Sequence, residues 1–103
     1  MLPSGAPSSA MDSRKYVIQL SSAAAKQLRK LDPPIGKKIF GDIQNLANNP
    51  RPHGYEQLTG KGKLYRLPVG PGKDYRIIYE IEDDKLLISI LKVGDRKEIY
   101  RDL

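Results

Sequence analysis

No cysteine occurs in this 103-residue sequence. Disulfides, thiolate metal sites and thiol nucleophiles are therefore excluded, and a reducing compartment fits. Histidine occurs once, as His53, so no pair of imidazoles can share the roles of general acid and general base. The 12 acidic residues form no cluster suited to holding Mg²⁺. No apolar run approaches the roughly 20 residues that span a bilayer. The expectation is a cytoplasmic protein with no cofactor, no metal and no membrane anchor.

What is present is basic charge. Lysine and arginine number 18, giving a formal net charge of +6, with 39% hydrophobic and 29% charged residues. That balance suits one small ordered domain with a modest core. A surplus this large favours an anionic partner, nucleic acid first; an acidic protein partner or plain solubility would use the same charge.

The opening MLPSGAPSSAMDS has almost nothing to bury and lacks the basic and long apolar regions of a secretory signal. Residues 1–13 are read as a disordered tail or an added extension, with Met11 a candidate start and an ordered domain over 14–103. KYVIQL alternates Tyr16, Ile18 and Leu20 with Lys15, Val17 and Gln19, the period of a strand. Ser21 then caps a helix over SSAAAKQLRKL, with Ala24, Leu28 and Leu31 on one face. Asp32 and Pro33 start a second helix whose stripe Ile35, Ile39, Ile43, Leu46 stops at Asn48-Asn49-Pro50. So short a link makes the two helices an antiparallel hairpin.

Three more strands follow the loop RPHGYEQLTGKG. Tyr65, Leu67 and Val69 alternate with Arg66 and Pro68; Tyr75, Ile77, Tyr79 and Ile81 alternate with Arg76, Ile78 and Glu80. LLISILKV is apolar on both faces and is expected at the centre of the sheet. The fold class is α+β, in the order β-α-α-β-β-β. The helical hairpin packs on one face of a small, mostly antiparallel four-stranded sheet, and a short C-terminal helical turn follows.

If the strands on either side of PVGPGKD pair, their apolar sets face the helices together. Arg66 and Arg76 then emerge close together on the other face. Like charges side by side destabilise a sheet, so something anionic should compensate them. Arg96 follows the last strand, and Tyr100 lies one helical turn beyond it. Lys61, Lys63 and Lys73 flank the hairpin and make its edge electropositive. Exposed arginines whose stems cover apolar surface are the plain alternative.

KQLRKLDPP, LANNPRPHGYEQLTGKG, YRLPVGPGKDYRIIYEI and VGDRKEIYR together resemble the RelE/ParE superfamily of bacterial toxin–antitoxin toxins, across residues 15–102. The resemblance to the RelE-like branch implies a ribosome-dependent endoribonuclease that cuts messenger RNA in the A site. It also implies a cognate antitoxin, with operator DNA reached only through the antitoxin complex. ParE-like relatives share the fold, lack the ribonuclease residues and poison DNA gyrase; a weakened member would only bind its antitoxin. Carried over by motif, the catalytic positions are Arg66, Arg76, Arg96 and Tyr100, with Lys61, Lys63, Lys73 and Lys97 toward RNA and ribosome. Two positions depart from the family pattern: Pro68 stands where a second basic residue is frequent, and Asp95 where histidine or lysine precedes the arginine.

Metal-free RNA cleavage uses the ribose 2′-hydroxyl as nucleophile. It needs a base for that proton, an acid for the leaving 5′-oxygen, and positive charge around the phosphorane. Arginine and tyrosine are the groups left to do this. A phenol with a pKa of about 10 is a poor base unaided. Neighbouring guanidinium groups favour its phenolate; alternatively, Tyr100 stacks on a base and orients the substrate.

Overall fold

Alternating side chains make β1, Val17–Leu20, a strand with Ile18 toward the core and Val17 outward. In the computed structural model, which describes residues 15–58, 60 and 63–99, helix α1 (Ser22–Arg29) starts immediately after it. The Ser21 hydroxyl accepts from the Ala24 N–H at 2.9 Å and donates to the Leu91 carbonyl at 2.9 Å. One side chain thus caps the helix and ties it to the sheet. Helix α2, Pro33–Asn45, begins on two prolines, whose missing N–H groups cost nothing in a first turn. Asp32 occupies the N-cap position, but its carboxylate makes no capping hydrogen bond.

The remaining strands are β2 (Glu56–Gln57), β3 (Leu64–Val69), β4 (Tyr75–Glu82) and β5 (Leu87–Asp95). Their order across the sheet is β1-β5-β4-β3-β2, with β1 parallel to β5 and every other pair antiparallel. Two corrections to the sequence reading follow. The sheet has five strands, not four, because Glu56 and Gln57 pair with Arg66 and Tyr65; two residues are too few to show alternation. The middle strand is β4, while the apolar run of β5 lies between β4 and the short β1.

One face of the sheet meets the helices. Ala24, Ile39, Ile43 and Leu46 pack with Leu67, Val69, Ile77, Tyr79, Ile81, Ile88, Ile90 and Val93 as a single core. A bulge interrupts β5: Ile78 pairs with Lys92 but Tyr79 pairs with Ile90, leaving Leu91 as the extra residue. Strict alternation from Ile88 and Ile90 would point Lys92 inward. The bulge instead buries Val93 and turns Lys92 to the face away from the helices. The Val93 N–H, beyond the reach of β1, donates to the Gln27 carboxamide at 2.7 Å.

The far end of the sheet is pinned by a charged and aromatic cluster. Arg51 donates to both Asp83 oxygens, at 3.2 and 2.9 Å, and the Tyr16 hydroxyl donates to the same carboxylate at 2.7 Å. The Arg51 guanidinium lies 5.6 Å from the centre of the Tyr65 ring. Tyr79 is fully buried and donates to the Pro50 carbonyl at 2.9 Å; burial pushes its phenol well above the ordinary range.

Hydrogen bonds from Arg51 first, then Tyr16, hold the Asp83 carboxyl at about 2. A folded-state value below the unfolded one means the pin contributes fully above about pH 4 and is lost as pH falls toward 2. Asp83 is 55% exposed, so screening leaves on the order of 0.5–1 kcal/mol. Asp83→Asn is expected to lose that much at pH 7 and to flatten the acid limb between pH 4 and 2. Urea midpoints at stepped pH read it; an acid limb identical to wild type would show that the pin contributes nothing.

No helix among the described residues is long and apolar enough to cross a membrane. The expected tail 1–13 lies outside the described residues.

Candidate functional site

Strand register decides which side chains share the face away from the helices. Arg66 pairs with Ile78 in β4, and Ile78 pairs in turn with Lys92 in β5. The next row reads Pro68, Arg76, Gly94. Arg66 and Arg76 are therefore diagonal neighbours across one strand pair, close enough for long side chains to meet. Ile78 is fully buried although it points away from the helices, in the row between Arg66 and Lys92. Lys92 joins this face without having been expected there. The bulge that turns it outward leaves no trace in the alternation of LLISILKV.

The charges are unevenly spread. β4 presents Arg76, then Ile78, then Glu80 and Glu82 along the same face. The basic end adjoins the turn between β3 and β4 and the chain after β5; the acidic end adjoins Asp83. An anion would be drawn to the first end only.

Each arginine is held differently. Arg66 forms an ion pair with Glu56, its cross-strand partner in β2. The Arg76 guanidinium donates to the backbone carbonyls of Lys73 at 2.7 Å and Tyr75 at 3.0 Å. These oxygens supply part of the negative compensation that the sequence calls for. They also fix the direction of the Arg76 fork and leave the rest of its donors for a ligand. Glu56 was missed for the same reason as β2.

Arg96 follows β5 directly and is exposed. Its N–H donates to the Asp74 carbonyl at 3.0 Å, which fastens this segment beside the start of β4, two residues from Arg76. Asp95 is a cap: its carboxylate accepts from the N–H groups of Lys97 at 2.9 Å and Glu98 at 3.0 Å. The Glu98 and Ile99 N–H groups both reach the Asp95 carbonyl at 3.1 Å, so a helical turn begins there. A lysine at this position has no acceptor for those bonds, and a neutral histidine offers a single ring nitrogen.

Pro68 sits on the part of β3 that β2 does not cover, an edge position where proline is tolerated. Lys73 and Lys97 are exposed around the basic end, whereas Lys63, also exposed, precedes Leu64, the partner of Glu80, and so lies at the opposite end of the sheet from the one expected. Tyr100 and Lys61, both expected at the site, lie outside the described residues. His53 is exposed in the loop before β2, beside Pro68 and not among the arginines. Among the described residues no three His, Asp or Glu side chains gather where they could hold a metal ion.

Comparison with known proteins agrees with this architecture. Residues 18–100 match the family model described as the ParE toxin of the type II toxin–antitoxin system parDE. The chain is 24% identical to the mRNA interferase toxin RelE of Escherichia coli, over 84% of its own length and 92% of that protein. It is 28% identical to toxin RelG of Mycobacterium tuberculosis, over 84% of its length and 97% of that protein. Among solved structures, the archaeal RelE-RelB complex from Pyrococcus horikoshii superposes with a TM-score of 0.66 at 28% identity, covering 80% of this chain and 96% of that one. The isolated E. coli RelE toxin gives 0.66 at 24% identity, covering 84% and 93%. With two helices on one face of a mostly antiparallel sheet and basic residues on the other, the chain belongs to the ParE/RelE family of type II toxin–antitoxin toxins.

Proposed function

We propose that this protein is a RelE-like messenger-RNA endonuclease that works on ribosomes and is neutralised by a cognate antitoxin. The observation that carries this reading is the shared face of Arg66, Arg76 and Lys92, with Arg96 fastened at its rim. Four cations, one of them a fixed guanidinium fork, suit a phosphodiester in its trigonal-bipyramidal state better than they suit a neutral substrate.

In the proposed reaction the 2′-oxygen attacks phosphorus while its proton leaves to a base. The bond from phosphorus to the 5′-oxygen breaks, giving a 2′,3′-cyclic phosphate and a 5′-oxygen that takes a proton from the acid to become a hydroxyl. Arg76 and Arg66 hold the non-bridging oxygens, since a guanidinium engages two at once. Arg96 meets the scissile phosphate and offsets charge on the departing oxygen. Tyr100 is assigned by the family motif alone. With no second imidazole, the acid and base are weak; alignment of the message by the ribosome supplies the rest, roughly 7–11 kcal/mol of positioning. Lys63, Lys73 and Lys97 then contact ribosomal RNA, an attachment that weakens steeply with salt.

The antitoxin reading draws on the same family. The relatives' solved complexes include RelE with RelB. An acidic, amphipathic partner segment would complement a chain of net charge +6. Operator DNA would be met only through that complex.

Induction in cells followed by mapping of message 5′ ends tests the proposal. Cuts within codons, dependent on translation, are expected; intact messages beside arrested growth contradict it. Pro68 and the ParE family match favour a second reading, gyrase inhibition, and a supercoiling assay with purified protein separates the two.

The Glu56 carboxylate competes with phosphate for Arg66. Glu56→Gln is expected to tighten binding of single-stranded RNA roughly two- to five-fold, the size of an exposed ion pair. Equal or weaker binding by fluorescence anisotropy would mean that Arg66 does not face the RNA.

A further inference from the structure

A cleft of about 280 Å³ lies between α2 and the uncovered edge of β3, lined by Lys38, Asp42, Asn45, His53, Pro68 and Lys73 among others. It adjoins the arginine face: Pro68 is the cross-strand partner of Arg76, and the Lys73 carbonyl holds the Arg76 guanidinium at 2.7 Å. Its inner wall is tied together by Asp42, which accepts from the Gly70 N–H at 2.9 Å and from the Lys38 ammonium at 3.1 Å. The Asp42 charge is thereby compensated in place. What remains open is the outer lining: Lys73, a carboxamide, an exposed imidazole and the ammonium donors of Lys38 that Asp42 does not take.

We propose that this cleft is a subsite for one nucleotide of an RNA strand whose neighbouring phosphate rests on Arg76. The inference rests on the nuclease reading and names a determinant of its specificity. The volume is at the small end of the roughly 300–1,000 Å³ typical of small-molecule sites, which suits one nucleotide and excludes a folded partner. The His53 ring stacks on the base, with Pro68 as an apolar neighbour; every base has a face for this. Lys38 and Lys73, on opposite walls, meet the adjoining phosphates. Asn45 offers both a donor and an acceptor to the base edge. The same nucleotide chemistry is available from the message or from ribosomal RNA.

The test titrates the isotope-labelled full chain with a trinucleotide made uncleavable by 2′-O-methylation. Amide shifts are expected at His53, Lys73 and Arg76, and His53→Ala should weaken binding roughly five- to a hundred-fold. His53→Phe keeps the ring and should restore affinity, which a merely structural role would not allow. Wild-type affinity in His53→Ala, or shifts confined to another surface, would overturn the proposal. On programmed ribosomes, an altered nucleotide preference at the cut in His53→Ala identifies the message as the source. Unaltered preference with weaker ribosome binding identifies ribosomal RNA. Trinucleotide shifts at the cleft without any cleavage by wild type would remove the nuclease reading and leave the subsite standing.

Discussion

Arg96→Ala is expected to slow message cleavage on ribosomes roughly 10²–10³-fold, the effect of removing one preorganised charge from an anionic transition state. Its folding should be unaffected. Arg96 is exposed, and what secures its position is a backbone hydrogen bond to Asp74 at 3.0 Å, which alanine retains. Arg96→Lys should recover only part of the rate, because an ammonium is a point charge where a guanidinium is a planar fork. Primer extension on a programmed message, with a urea titration of each variant, reads both quantities. Wild-type cleavage in Arg96→Ala would remove Arg96 from the site, and a lowered urea midpoint would make its role structural.

Gly70→Ala is expected to cost about 2–5 kcal/mol of folding stability. Gly70 has φ 82 and ψ −178, a region that residues with a side chain scarcely enter. A Cβ there would stand 3.1 Å from Tyr75 Cδ1 and 3.2 Å from Ile39 Cγ1, and the buried Ile39 and its neighbours have little room to yield. The Gly70 N–H also bonds to Asp42 across to α2. The penalty reaches the site, because the turn after Gly70 carries the Lys73 carbonyl that orients Arg76. Gly41→Ala is the matched control: it lies in α2 with nothing within 4 Å of the added carbon and should be neutral or stabilising by up to about 1 kcal/mol. Denaturant midpoints that fall equally for both variants would refute this account of the turn.

How much of this was legible beforehand depended on period. β1, both helices and the three longer strands announce themselves because their apolar residues recur at the spacing of a buried face. From Arg66 and Arg76 alone, parity predicts a shared face, and the register bears this out. Parity fails where one residue is inserted. The bulge at Leu91 exchanges the roles of Lys92 and Val93, so a cation of the basic face hides inside what reads as a buried run. Pairing across distance is equally silent: nothing in the string Glu56-Gln57 shows that it meets Arg66. Asp95 departs from the family pattern, and what the sequence does not show is that its carboxylate caps the turn that follows.

The central claim is that the sheet face opposite the helices grips RNA at its basic end. Photo-cross-linking tests it most directly, with 4-thiouridine placed in the A-site codon of a ribosome-bound message and the joined peptides identified by mass spectrometry. Cross-links are predicted within residues 64–69, 73–78 and 92–97. Cross-links confined to α1 and α2, or to the acidic end around Glu80 and Glu82, would contradict the account.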